Sequence, residues 1–144
     1  MRAELRTFLA YPSRDRWGLI QTWWLLLGID LALRALPFRR VQAWIMPSHP
    51  SRLITDSGQA THEIHQAEEI LDCAARHHLY PMTCLRRSLA LQWLLSKRGI
   101  LTELRFGVRR DNGKLQAHAW LDYQCQVIGE TSLPEEQYAR LESR

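Results

Sequence analysis

Residues 81–99 read PMTCLRRSLALQWLLSKRG, and residues 100–110 continue as ILTELRFGVRR. The hydrophobic period changes between the two, and that change decides the fold class. In the first stretch Leu85, Leu89 and Trp93 fall on one helical stripe, which Leu91, Leu94 and Leu95 broaden. Thr83 is placed to cap the start, and Lys97-Arg98-Gly99 is a helix stop signal. In the second, Leu104, Phe106 and Val108 alternate with Glu103, Arg105 and Arg109, the period of a strand. An Asn-Gly pair inside RDNGK (110–114) then predicts a hairpin. Further strands are expected over about 115–123 and 126–130.

Upstream, prolines 12, 37, 47 and 50 break a helical pattern. The spacing predicts helices over about 15–36, 38–45 and 60–78, the last carrying Ile64, Ala67, Ile70, Leu71 and Ala74 on one face. The tail from Pro134 onward reads as a short helix or frayed end. The expected architecture is therefore α+β, an N-terminal helical layer plus a small three-stranded antiparallel sheet. A helical region, 1–60, packs on or extends a core, 61–144, in a single compact domain.

With 144 residues the chain can bury about two-thirds of its unfolded surface. Nineteen basic against 15 acidic residues give a charge of only +4. The basic residues are scattered, and Arg39-Arg40 is too short a cluster to argue for nucleic acid. Three cysteines, Cys73, Cys84 and Cys125, make no disulfide framework, and the first residues lack the pattern of a secretory signal. Both point to a cytoplasmic setting. The most apolar segment, Trp17 to Leu36, has an uncharged run of 13 residues before Asp30 and Arg34 interrupt it. A bilayer needs about 20. A buried or docking helix is the simpler reading; a peripheral helix on a membrane surface or against a protein partner is the alternative that Trp17, Trp23 and Trp24 favour.

Cys84 stands at the expected helix start, where unpaired N–H groups and the helix dipole favour a thiolate. Cys73 lies mid-helix and Cys125 in a turn. A nucleophile needs a base. His62 and His65 are three apart on one helix face but lack further ligands at zinc spacing, so no metal is expected. His77 and His78 end a helix, where a cation suits the dipole, and His49 sits in a loop between prolines. His118 differs: in QAHAWLDYQ (116–124) it shares a strand face with Gln116, Trp120 and Asp122, against Leu115, Ala117, Ala119, Leu121 and Tyr123 on the other. A sheet-borne histidine facing a helix-borne cysteine is the layout of papain-like cysteine enzymes.

A third group must orient the base. Asp122 shares the face of His118 but lies four strand residues away, roughly 13 Å. Glu130 is better placed if Tyr123, Gln124 and Cys125 form a three-residue turn, because Asp122 then opposes Gln126, Trp120 opposes Ile128, and His118 opposes Glu130. A two-residue turn would move Glu130 to the wrong face.

The stretch from Cys84 to Glu130 resembles the transglutaminase-like cysteine peptidases that act as leader peptidases in lasso-peptide biosynthesis, relatives of the C-terminal domain of the microcin-processing protein. The matching residues are Cys-Leu-x-Arg-Ser-Leu-Ala-Leu from Cys84, then Gly99, Gly107-Val108 and His118-Ala119-Trp120. The helix IHQAEEILDCAARHHLYP (64–81) ahead of it matches more loosely. The resemblance implies a transglutaminase-like or papain-like peptidase fold and a Cys84–His118–Glu130 triad that cleaves the leader from a ribosomally made precursor peptide. Glu130 stands where that family commonly has Asp. Arg87 and Ser88 belong to the same motif, read here as an ion-pair partner and a close-packing residue, and Trp120 packs over the His118 ring or simply fills the core. A separate leader-recognition protein and a lasso cyclase are implied as partners, with no cofactor. Two other functions fit the same residues: a transglutaminase-like acyltransferase, or a non-catalytic Trp-rich docking or membrane-surface adaptor.

Overall fold

A computed structural model of the chain describes residues 13–46, 53–54, 56–111, 114–129 and 138–140. Four helices precede the sheet among them: α1 (Ser13–Ala35), α2 (Phe38–Ile45), α3 (Ser57–Arg76) and α4 (Cys84–Lys97). Pro37 ends α1 and opens α2, since a proline forbids helix in the residue before it but suits the first turn of the next. The Asp56 carboxylate caps α3 by accepting the Gln59 N–H at 3.2 Å. Thr83 occupies the cap position of α4 but makes no side-chain cap bond, contrary to the sequence expectation. The stop at the other end of α4 holds. Ile100 N–H donates to the Leu95 carbonyl and Gly99 N–H to that of Ser96, with Gly99 at φ +80°, a Schellman closure that needs a glycine.

The sheet is antiparallel in the order β3-β2-β1-β4, with β1 at Glu103–Asp111, β2 at Lys114–Tyr123, β3 at Gln126–Ile128 and β4 at Ala139–Arg140. Asp111 pairs with Lys114, so the Asn-Gly pair is the whole connection of the first hairpin, as predicted. Two features depart from the expected three-stranded meander. Part of the tail, Ala139–Arg140, forms a fourth strand on the outer edge of β1, against Gly107 and Val108. The second hairpin turns on two residues, not three: Tyr123 pairs with Gln126 and Asp122 with Val127. Gln124 and Cys125 both take positive φ, 50° and 64°, the geometry of a type I′ turn.

One apolar core joins the layers. Leu26 and Ile29 of α1, Val41 and Ile45 of α2, Ala67 and Leu71 of α3, Leu89, Leu91 and Leu95 of α4, and Leu121 of β2 are buried together. Leu104, Tyr123 and Ile128 pack onto it from the same side of the sheet. Phe106, cross-strand from Ala119, meets Phe38 edge-on at 5.6 Å between ring centres. On the outside of α1, Trp17, Ile20, Trp24 and Leu31 are exposed, Trp17 at 67% and Trp24 at 62%. Their spacing puts them in one narrow stripe. No helix among the described residues is long and apolar enough to cross a membrane.

Candidate active site

Cys84 is the first residue of α4 and is half-buried, with a free thiol. Three consecutive residues just inside the helix fix it, and successive residues point about 100° apart around the axis. Arg86 reaches α1, its Nη2 2.6 Å from Asp30 Oδ1 in a close ion contact. Asp30 is only 2% exposed, and its other oxygen takes Arg34 Nε at 3.0 Å. Arg87 pairs with Asp72 on α3, the structural ion pair foreseen for it. Ser88, buried, donates from Oγ to the Ala119 carbonyl of β2 at 3.0 Å, so it is a directional tie rather than only a small residue. The start of α4 is thereby held by α1, α3 and β2 at once.

The Ala119 contact fixes where the start of α4 meets the sheet. β3 pairs with β2 only over Leu121–Tyr123, so Ser88 meets β2 on the stretch that β3 does not reach. The residue before Ala119 is His118. It lies, half-buried, on the face it shares with Trp120 and Asp122, while Leu121 and Tyr123 face the helical core, as the alternation predicts.

Around His118 the arrangement is aromatic. Its ring is stacked with Trp120 (centroids 6.1 Å, planes at 21°) and with Tyr138 (5.1 Å, 25°). Trp120 is fully buried, so it fills interior space and flanks the histidine together. Gly107, cross-strand from His118, makes this possible. A Cβ there would lie 2.8 Å from both the Trp120 ring and the Tyr138 Cβ. Glycine is needed for that close approach.

The third member is less simply placed. Glu130 lies outside the described residues, and the three-residue turn on which its selection rested is replaced by the two-residue turn. The chain leading to it is fixed from two sides. Gly129 donates its N–H to Glu68 Oε1 on α3 at 2.7 Å, and at its φ of +78° an added Cβ would lie 2.8 Å from the Leu91 side chain of α4. Asp122, the alternative acid, is buried with its carboxylate against Trp120 Nε1 at 3.1 Å and Arg105 Nε at 3.3 Å.

The remaining candidates have local partners. His65 Nδ1 lies 3.3 Å from Glu68 Oε2, and no group of three metal-binding side chains gathers among the described residues. His77 Nδ1 bonds the Cys73 carbonyl at 2.8 Å. His78 departs from the expected helix-end cation. Burial lowers its pKa from the ordinary 6.5, Arg86 adds to the effect, and Asp30 opposes it. Its ring rests on Trp23 at 5.0 Å. His49 lies outside the described residues.

Sequence reasoning missed Asp30, Glu68 and Tyr138. Asp30 left a signal, a lone carboxylate inside an apolar helical run, which folding tolerates only with a cation beside it. Glu68 and Tyr138 left none, because each acts through a contact far away in sequence.

The structure thus has a cysteine at the start of α4 and a histidine on β2, the strand that the same helix meets through Ser88. The family model of the Transglutaminase-like superfamily matches residues 25–143. The chain belongs to that superfamily, which includes cysteine peptidases and acyltransferases. Comparison with curated proteins and with solved structures gives no match.

Proposed function

We propose that this chain is a cysteine peptidase that removes the leader from a ribosomally synthesised lasso-peptide precursor. It would work in the cytoplasm beside a separate leader-recognition protein and ahead of a lasso cyclase, with no cofactor or metal. The observation that carries the reading is the Ser88–Ala119 hydrogen bond, which sets the turn after Cys84 beside the strand residue after His118. Superfamily membership and the motif match point the same way.

On this reading His118 takes the Cys84 proton, and the thiolate attacks the scissile carbonyl. The tetrahedral oxyanion is stabilised by first-turn N–H groups of α4, which Thr83 leaves uncapped. Collapse expels the core peptide's amine, protonated by His118, and leaves the leader as a thioester on Cys84. Water, deprotonated by His118, then releases the leader. The motif match assigns the orienting role to Glu130, whereas the two-residue turn removes the register on which that choice rested and leaves Asp122, on the face of His118, as the competing acid. The exposed stripe of α1 is the surface available to the leader-recognition protein.

The test combines the purified chain, the leader-recognition protein and the precursor, read by mass spectrometry. Cys84→Ala and His118→Ala should abolish release of free leader and core, and Glu130→Ala should cause a partial to large loss. Damage from Asp122→Ala with Glu130→Ala intact would move the orienting role to Asp122. A cross-linked product in place of free leader would make the enzyme an acyltransferase. Full activity in Cys84→Ala would leave only the adaptor reading.

A further inference from the structure

We infer that Tyr138 is a positioning residue of the site, one that fixes the plane of the His118 ring from outside the helix–strand core. The inference rests on the reading of His118 as the proton carrier.

Three observations carry it. First, the Tyr138 and His118 rings are nearly parallel, so they meet through their faces. Both imidazole nitrogens lie on the ring edge, where every proton is gained or lost. A partner on the face restrains rotation of the ring without itself occupying that edge. Trp120 contributes a second near-parallel ring from the same strand. Second, Tyr138 is delivered by a dedicated piece of backbone. It directly precedes β4, which pairs with β1 at Gly107 and Val108, and Gly107 is the position opposite His118. The missing side chain of Gly107 is what allows the Tyr138 Cβ and the Trp120 ring to settle over that strand, since a Cβ would stand 2.8 Å from each. Third, the Tyr138 ring is itself covered. The Arg109 guanidinium lies 5.0 Å from its centroid, and Arg109 Nε donates to Gln116 Oε1 at 2.9 Å. Gly107, Arg109, Gln116 and His118 belong to one hairpin, so β1 and β2 supply both the histidine and the seat for its neighbour.

The stack also suits the chemistry. When His118 holds the thiol proton it is a cation, and an aromatic face attracts a cation. The ring of Tyr138 matters for this and its hydroxyl does not. Displacement of the imidazole would act on the chemical step rather than on binding of a leader held by a separate protein.

The experiment compares Tyr138→Phe and Tyr138→Ala with wild type in the reconstituted cleavage reaction, resolving kcat from KM. In parallel it follows the rate at which iodoacetamide alkylates Cys84 near neutral pH. Tyr138→Phe should stay within about twofold of wild type in both. Tyr138→Ala should lower kcat roughly 10- to 100-fold, the scale of a displaced catalytic group, with KM within about twofold and with slower alkylation. Unchanged kcat and alkylation in Tyr138→Ala would overturn the inference. So would a rise in either, which would make Tyr138 a cover over the site, or a loss in Tyr138→Phe as large as in Tyr138→Ala. Failure of the underlying reading looks different: there, Cys84→Ala or His118→Ala would keep cleavage.

Discussion

The two ends of α4 are held by different physics. Around Lys97 burial dominates: Leu91 and Leu95 sit in the core with Ile100, the chain closes on a glycine, and Arg98 adds polar contacts to Glu63 and Gln66 of α3 alone. Around Cys84 it is anchored by direction: Arg86, Arg87 and Ser88 bind a carboxylate, a second carboxylate and a carbonyl on three different elements. Apolar burial scales with area and is indifferent to small rotations, whereas ion pairs and hydrogen bonds fix angle as well as distance. Directional contacts tie the Cys84 end to three elements, α1, α3 and β2, and Arg98 at the other end to α3 alone.

That contrast can be broken at either end. Leu95 is fully buried, so Leu95→Ala should cost about 2–5 kcal/mol of unfolding free energy in denaturant titration. Specific activity per folded molecule should barely change, and a large loss would show that the apolar end aims the nucleophile too. At the other end, Asp30→Ala strands Arg86 in a largely covered position. It should cost about 3 kcal/mol and also reduce cleavage by the molecules that remain folded. Equal activity per folded molecule would reduce the Asp30 contact to a purely structural one.

The smallest effect concerns His78, beside the same Asp30–Arg86 pair. Its pKa is lowered in the folded chain, chiefly by burial. The unfolded chain therefore binds a proton that the folded chain refuses. Stability is fully present above about pH 6.5 and declines as pH falls through that value toward the folded pKa. His78→Phe keeps a ring against Trp23 and removes the titration. Its melting temperature should fall less than that of wild type between pH 7.5 and 5.5, and an identical fall would discount the His78 contribution.

Much of this was legible from residues alone. The change of period at Gly99 gave the helix, the strands and the alternation that separates His118 from Leu121, because local propensity and tertiary demand agree there. The Asn-Gly turn was readable because its residue types accept positive φ. The second turn was not, since Gln124 and Cys125 both take positive φ, which residues of their types rarely adopt. The fourth strand was hidden for another reason. Two residues carry no period, and their partner is some thirty positions upstream.

The turn at Gln124 and Cys125 has one more consequence. In a sheet every side chain is odd or even, up or down, and a reversal of the chain carries that parity from one strand into the next. Here two backbone angles carry it. Inserting or deleting one residue at this turn would exchange the two faces all along β3, without altering one side chain.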